Sequence, residues 1–259
     1  MRTLAFLLTL AFTIPSLAAD KVRVLAAVSL KEALTDVAAA YEKKTGTGVS
    51  LTFGASGTLA TQIERGAPAD VFVSAAVKPV DDLVKADAAK ADTRRVVVRN
   101  ALVLITPPDG KVTAVEDLKG DAVKRIAVGE PKIVPAGTYA YQTLDKLGLS
   151  GALRPKLVQA ANVRQVLTYV QRGEADAGFV YATDAAEAGA TVRVAATIDA
   201  AAHEPIVYEG VLTKSAADGS AAFLDYLTTP EGQKALTARG FLPAAAAPAT
   251  RPAAVEVGR

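Results

Sequence analysis

Val22-Arg23-Val24-Leu25-Ala26-Ala27-Val28-Ser29-Leu30-Lys31-Glu32-Ala33-Leu34 opens an alternation that most of the chain then repeats. Val22 to Ala27 is an apolar run of strand length. Leu30, Ala33, Leu34, Val37, Ala38 and Tyr41 then share one helical face at the i, i+3, i+4, i+7 spacing. Gly46 and Gly48 end that helix. Val49, Leu51 and Phe53 alternate as a second strand, and a Gly54-Ala55-Ser56-Gly57 loop leads to a short helix that Leu59 and Ile63 start and Gly66 ends. Val71 to Val73 make a third strand. Strands and helices in this order predict α/β domains with largely parallel sheets.

Downstream, the apolar run Val96 to Ile105 is broken by Arg99 and Asn100. The alternation then restarts, with strands at 125–128, 157–159 and 177–181 and helices at 138–147, 163–170 and 183–190, which predicts passage into a second domain. A strand at 192–195, a polar bend at His203-Glu204-Pro205 and a strand from Ile206 to Leu212 predict a second crossing, back to the first domain. Helices at 221–227 and 230–239 finish the fold, the latter with Pro230 at its first position, where a missing N–H costs nothing.

Arg2, an apolar run from Leu4 to Ile14, Pro15 and the small-residue stretch Ser16-Leu17-Ala18-Ala19 have the layout of a secretory signal peptide, so residues 1–19 are expected to be removed. That run is shorter than the roughly 20 apolar residues needed to span a bilayer. Beyond Pro243 the sequence turns to alanine, proline and arginine, and the tail at 246–259 is expected to be disordered. Without Arg2 the chain carries 28 basic and 27 acidic residues in no long runs, which argues against nucleic acid as a partner. The chain has no Cys, so neither disulfides nor thiolate chemistry contribute; it has one His and one Met.

In a parallel α/β sheet, guests sit beyond the carboxyl ends of the strands, where helix N-termini present free N–H groups. Ser29 stands at the first such junction, at a position suited to an N-cap, and Glu32 three residues on completes a capping-box pattern. Ser56 lies in the second, between glycines that let the backbone approach a guest. No Lys-Ser or Lys-Thr pair follows it, which excludes a nucleotide loop. Val134-Pro135-Ala136-Gly137-Thr138 is a turn into the third helix, Asn162-Val163 is a cap and helix start, and Val180-Tyr181-Ala182-Thr183-Asp184 ends a strand on a tyrosine. These junctions share amide and hydroxyl donors, with no Arg or Lys on the proposed contact residues. A deprotonated oxyanion has only acceptors, and such a donor set matches it.

At these positions the chain resembles the periplasmic molybdate-binding proteins of ABC transporters. The resemblance rests on Ala26-Ala27-Val28-Ser29-Leu30, on Phe53 to Ala60, on Gly66 to Ala75, on Val128 to Pro131 with Val134 to Ala140, and on Gly178 to Ala185, and runs in order from Lys21 to Leu242. It implies a two-lobed type II binding-protein fold, two α/β domains joined by two crossover strands, with lobe 1 at 20–98 plus 207–245 and lobe 2 at 99–206. The implied contacts to molybdate or tungstate are Ser29, Ser56, the backbone amides of Ala136 and Val163, and Tyr181. Val28 stands where the family often has alanine, and Ala55 and Gly57 stand where some relatives carry serines, which leaves amide donors intact but takes extra side-chain hydroxyls from the second loop. Asp70 recurs in the pattern but repels an anion, so it reads as capped or paired. The implied partner is an inner-membrane permease, with the protein a periplasmic monomer that needs no cofactor and meets molybdenum only as the oxyanion.

Sequence leaves a receptor for sulfate or phosphate open, since pocket size separates these anions. An iron receptor needs clustered Tyr, His or carboxylate ligands, whereas Tyr139 and Tyr141 are separated and His203 lies in the bend. A hydrolase needs a serine with a histidine base and an orienting acid. Here the only such base, His203, has Glu204 beside it and there is no G-x-S-x-G elbow, so a binding protein rather than an enzyme is expected.

Overall fold

The computed structural model describes residues 21–244; the expected signal segment 1–19 and tail 246–259 lie outside the described residues. The first part of the chain runs β1 (Val22–Ala27), α1 (Lys31–Thr45), β2 (Val49–Gly54), α2 (Ser56–Glu64), β3 (Val71–Ser74), α3 (Val77–Lys85) and β4 (Arg95–Arg99). The middle part follows as β5 (Leu102–Thr106), β6 (Ile126–Gly129), α4 (Pro135–Lys146), α5 (Ser150–Leu153), β7 (Leu157–Ala160), α6 (Val163–Gln171), β8 (Ala177–Tyr181), α7 (Ala182–Ala188) and β9 (Arg193–Thr197). The chain closes with β10 (Val207–Leu212), α8 (Ser220–Tyr226), α9 (Pro230–Ala238) and β11 (Leu242–Pro243).

Two separate sheets result, ordered β11-β4-β10-β3-β1-β2 and β7-β6-β8-β5-β9, and each is the centre of one lobe. Both are mixed rather than largely parallel. β1 runs parallel to β2 and β3, and β6 parallel to β7 and β8, as the strand–helix alternation predicts. β10 is antiparallel to β3 and β4, and β5 is antiparallel to β8 and β9. The physical reason lies in the crossings. β5 and β10 are the strands that enter a sheet from the other lobe, without the covering helix that a parallel connection needs, and they insert in the opposite sense. The run at 96–105 is therefore two strands in two sheets, with Asn100 and Ala101 as the joint between them.

Period-2 alternation explains how the first sheet is covered. Val22, Val24 and Ala26 pack with the buried stripe of α1, while Leu25 and Phe72 face the other way onto Leu59, Ile63, Val80 and Leu83 of α2 and α3. Burial on both faces is what an apolar strand such as β1 encodes. α1 ends as expected at Gly46, whose φ of 76° is left-handed and whose N–H reaches the Glu42 carbonyl at 2.8 Å. α3 has no counterpart in the sequence reading. Pro79 stands in its first turn, where its missing N–H is harmless, and only Val80 and Leu83 join it in being buried, a stripe too short to announce a helix. Among the described residues no helix is long and apolar enough to cross a membrane.

Asp70, expected to be paired, is the buried tie of the first lobe. Its carboxylate accepts from Arg23 N at 2.7 Å, Arg23 Nε at 3.0 Å, the Arg23 guanidinium at 2.6 Å and Ala217 N at 3.0 Å. One side chain thus joins β1, the start of β3 and the loop after β10. Burial pushes its pKa up, but the bonds from Arg23 and Ala217 outweigh that and hold it below the usual carboxylate range. Replacing Asp70 by Asn is expected to lower the unfolding free energy by about 2 kcal/mol, the scale of a lost charge-assisted hydrogen bond. Because the folded pKa is the lower one, the wild-type advantage is full above the unfolded value near 4 and is lost as pH falls through the folded value. Urea unfolding at pH 7 and pH 3 checks both statements.

Candidate functional site

Ser29, Ser56, Ala136, Val163 and Tyr181 all line one small cavity between the lobes, together with Ala27, Val28, Gly54, Ala55, Ala75, Val134 and Pro135. The cavity is tightly closed, with a volume of about 10 Å³. Most of the lining residues sit at a strand end or in the following helical turn: β1 and β2 give Ala27 to Ser29 and Gly54 to Ser56, and β8 gives Tyr181. The first turns of α4 and α6 give Ala136 and Val163. These positions lie far apart in sequence and meet because two sheets present the same strand ends to one crevice.

The local reasons differ from junction to junction. Ser29 is not a helix cap. It lies inside a single 3₁₀ turn, Val28–Leu30, ahead of α1, and makes no capping bond. Instead its Oγ, 3% exposed, lies 2.8 Å from the Tyr208 hydroxyl. Glu32, the expected capping partner, reaches across the crevice to Arg164. The glycine reading also changes. A Cβ on Gly57 would lie 2.7 Å from the Cα of Ile133, so this glycine admits the opposing lobe's backbone rather than a guest, and its N–H donates to the Ile133 carbonyl at 2.9 Å. In α4, Pro135 is the first helical residue, so the helix begins three residues before the expected Thr138. Asn162 does cap α6, accepting from Gln165 N at 3.0 Å.

Hydrogen bonds from behind orient the hydroxyls. Asn100 Oδ1 accepts from Ala101 N at 2.9 Å, which turns its amide Nδ2 toward Thr183 Oγ1 at 2.9 Å and Tyr208 Oη at 3.4 Å. Tyr208 Oη, which accepts from Asn100, is bonded to Ser29 Oγ and fixes the place of that hydroxyl. Ser56 Oγ accepts from Ala75 N at 3.0 Å and keeps its proton for a guest. Burial, which opposes the phenolate, drives the Tyr181 and Tyr208 pKa values well above that of a free phenol, so both remain donors. The Tyr181 hydroxyl is buried beside Tyr208, with ring centroids 5.7 Å apart, and has no hydrogen-bond partner of ordinary geometry among the described residues. Tyr208 and Asn100 escaped the sequence reading. Asn100 interrupting an apolar run was the available signal.

The amides of Ala136 and Val163 lie in the first turns of α4 and α6, at the positive end of each helix dipole. Gly137 lets α4 approach closely enough to aim them, since a Cβ there would lie 2.1 Å from the Gly129 carbonyl oxygen. Among the described residues no charged side chain lines the cavity. Arg164, one residue beyond Val163, is engaged by Asp184 at 2.7 Å and Glu32 at 2.6 Å. Burial raises the Asp184 pKa to about 6 against the pull of Arg164. A larger crevice of about 910 Å³ opens alongside; it carries Lys78, Lys132, Asp81, Asp82 and Glu204 and gathers none of the candidate hydroxyls. Among the described residues no three His, Cys, Asp or Glu side chains are grouped to hold a metal ion.

Two α/β lobes, crossed twice by the chain and enclosing a small cavity of neutral donors, define a solute-binding receptor of the two-lobed periplasmic binding-protein fold. The family model described as bacterial extracellular solute-binding protein matches residues 22–242, and the chain belongs to that family. It is 39% identical over 231 residues to the molybdate-binding protein ModA of Haemophilus influenzae, covering 86% of this chain and 91% of that one. Among solved structures, the periplasmic molybdate-binding protein of Azotobacter vinelandii aligns with a TM-score of 0.77 at 28% identity, over 86% of this chain and 99% of that one. The substrate-binding domain of a putative molybdenum ABC transporter from Clostridium difficile aligns with a TM-score of 0.68 at 38% identity, over 86% and 98%.

Replacing Gly137 by Ala is expected to destabilise the protein by about 3 kcal/mol, the upper range for overpacking, because the added methyl meets backbone that has no rotamer to yield. Equilibrium denaturation of the variant measures the loss.

Proposed function

We propose that the protein captures molybdate, or the similarly shaped tungstate, in the cavity between its lobes and delivers it to an ABC permease in the inner membrane. The observation that carries this reading is the lining itself: Ser29, Ser56, Tyr181 and the first turns of α4 and α6 offer donors, and among the described residues no lining side chain bears a charge. An anion with acceptors only can satisfy every one of them, whereas a partly protonated anion turns its remaining O–H toward another donor. Ser29 and Ser56 donate through hydroxyl protons, Ala136 and Val163 through backbone amides, and Tyr181 through a phenol that otherwise lacks a partner among the described residues. The relatives named for molybdate support the choice of anion.

In this reading residues 1–19 direct export to the periplasm, lobe 1 comprises 20–98 and 207–245, and lobe 2 comprises 99–206. The lobes close over the anion, and the closed shape is what the permease recognises. The protein acts as a monomer, without a resident cofactor and without turning its ligand over. Binding alone is its activity.

Native mass spectrometry of the purified protein with equimolar molybdate, tungstate, sulfate and phosphate tests the assignment. A single molybdate or tungstate adduct is expected, and retention of sulfate or phosphate in their place would reject it. Ser29→Ala and Ser56→Ala are each expected to weaken molybdate binding in titration calorimetry by about 1–3 kcal/mol, the range for a charge-assisted hydrogen bond. Tyr208→Phe removes the bond that holds Ser29 Oγ in place without removing a donor to the anion. A smaller loss of about 1 kcal/mol is expected in the same titration.

A further inference from the structure

Arg164 places a guanidinium at the edge of the cavity, and it touches both lobes. Its Nη2 donates to Glu32 Oε2 at 2.6 Å and its Nη1 reaches Glu32 Oε1 at 3.3 Å, a forked contact with α1 of the first lobe. Its Nε faces Asp184 Oδ1 at 2.7 Å, within the second lobe. Asp184 in turn accepts from Tyr181 N at 3.2 Å. The three charged residues stand three positions after Ser29, one after Val163 and three after Tyr181. One guanidinium thereby ties together the helical turns that present three of the cavity residues.

Burial sets this cluster apart from a second ion pair that crosses the crevice. Asp184 is fully buried, and the Arg164 and Glu32 side chains are 23% and 27% exposed. The pair of Arg239 with Glu187 is 3.6 Å long and 39% exposed on both sides, the kind of pair that contributes little. Arg164 and Asp184 belong to one lobe and need no closure to meet. Glu32 belongs to the other lobe, so its fork can form only when the lobes are together. None of the three lines the cavity itself, so a guest meets a lining without a charged side chain.

We infer that Glu32 and Arg164 form an interlobe latch that holds the closed form around the bound anion, with Asp184 fixing the guanidinium in readiness. Arg164 is a positioning residue, since it acts through Val163, Tyr181 and the lobe contact. The inference rests on the oxyanion reading above. It assigns the latch to the release step: closure follows anion entry, so the fork slows escape and leaves encounter unaffected.

Stopped-flow measurement of molybdate dissociation and association, on wild type and Glu32→Gln at low and high salt, tests it. Dissociation from the variant is expected to be about tenfold faster, with association within twofold of wild type. Salt should speed release from wild type and have little effect on the variant, which a merely steric role for Glu32 would not produce. The unfolding midpoint of the anion-free variant should match wild type, because the open form lacks the fork. Release rates within twofold of each other with equal salt dependence would overturn the latch while leaving the binding site standing. So would a clear loss of stability in the anion-free variant, which would make Glu32 a residue of the fold. A wild-type protein that binds no molybdate would remove the binding assignment and the latch with it.

Discussion

A polar group withdrawn from water must find a partner, and the cavity between the two lobes is built so that several donors are left facing inward with protons to give. That constraint governs the surrounding structure. Ser56 accepts a hydrogen bond from behind, from Ala75, so what it presents forward is a proton, and Ser29 is held from behind by the Tyr208 hydroxyl. Tyr181 is sealed away from solvent with its hydroxyl unspent among the described residues. Orienting donors in advance means that little reorganisation remains when a guest arrives, and dipoles fixed in a dry site act more strongly than the same dipoles in water.

The frame that fixes them is the pair of sheets. Parallel strands deliver the chain repeatedly to the same edge, each time followed by a helical turn whose amides point outward. The two antiparallel insertions, β5 and β10, carry the chain between lobes and also bring Asn100 and Tyr208 behind Ser29. The joint between the lobes is thus also the support of the donor. Charge is kept at the periphery, where Arg164 is engaged by two carboxylates. A neutral lining favours a guest by hydrogen-bond geometry rather than by net attraction.

Much of this was legible in the linear sequence because it is local. The helical stripe Leu30 to Tyr41, the apolar strands, the Asn162 cap and Pro at helix starts are written within a few residues, and the structure returns them. The readings that failed were also local ones, defeated by partners distant in sequence. Ser29 with Glu32 has the spacing of a capping box, yet each residue is engaged by a side chain more than a hundred positions away. Gly57 resembles a loop glycine reserved for a guest until Ile133 is seen pressed against it. α3 stayed hidden because it buries only a short apolar edge.

Periodicity, turn residues and the order of strands and helices were enough to establish two α/β lobes, two crossings and the junctions at which donors stand, since backbone conformation responds to near neighbours. The tertiary structure alone decided which way those donors face, what supports them and which charges meet across the crevice. Direction is set by contacts between segments that no sequence spacing brings together: Asn100 to Tyr208 to Ser29, and Glu32 to Arg164 to Asp184.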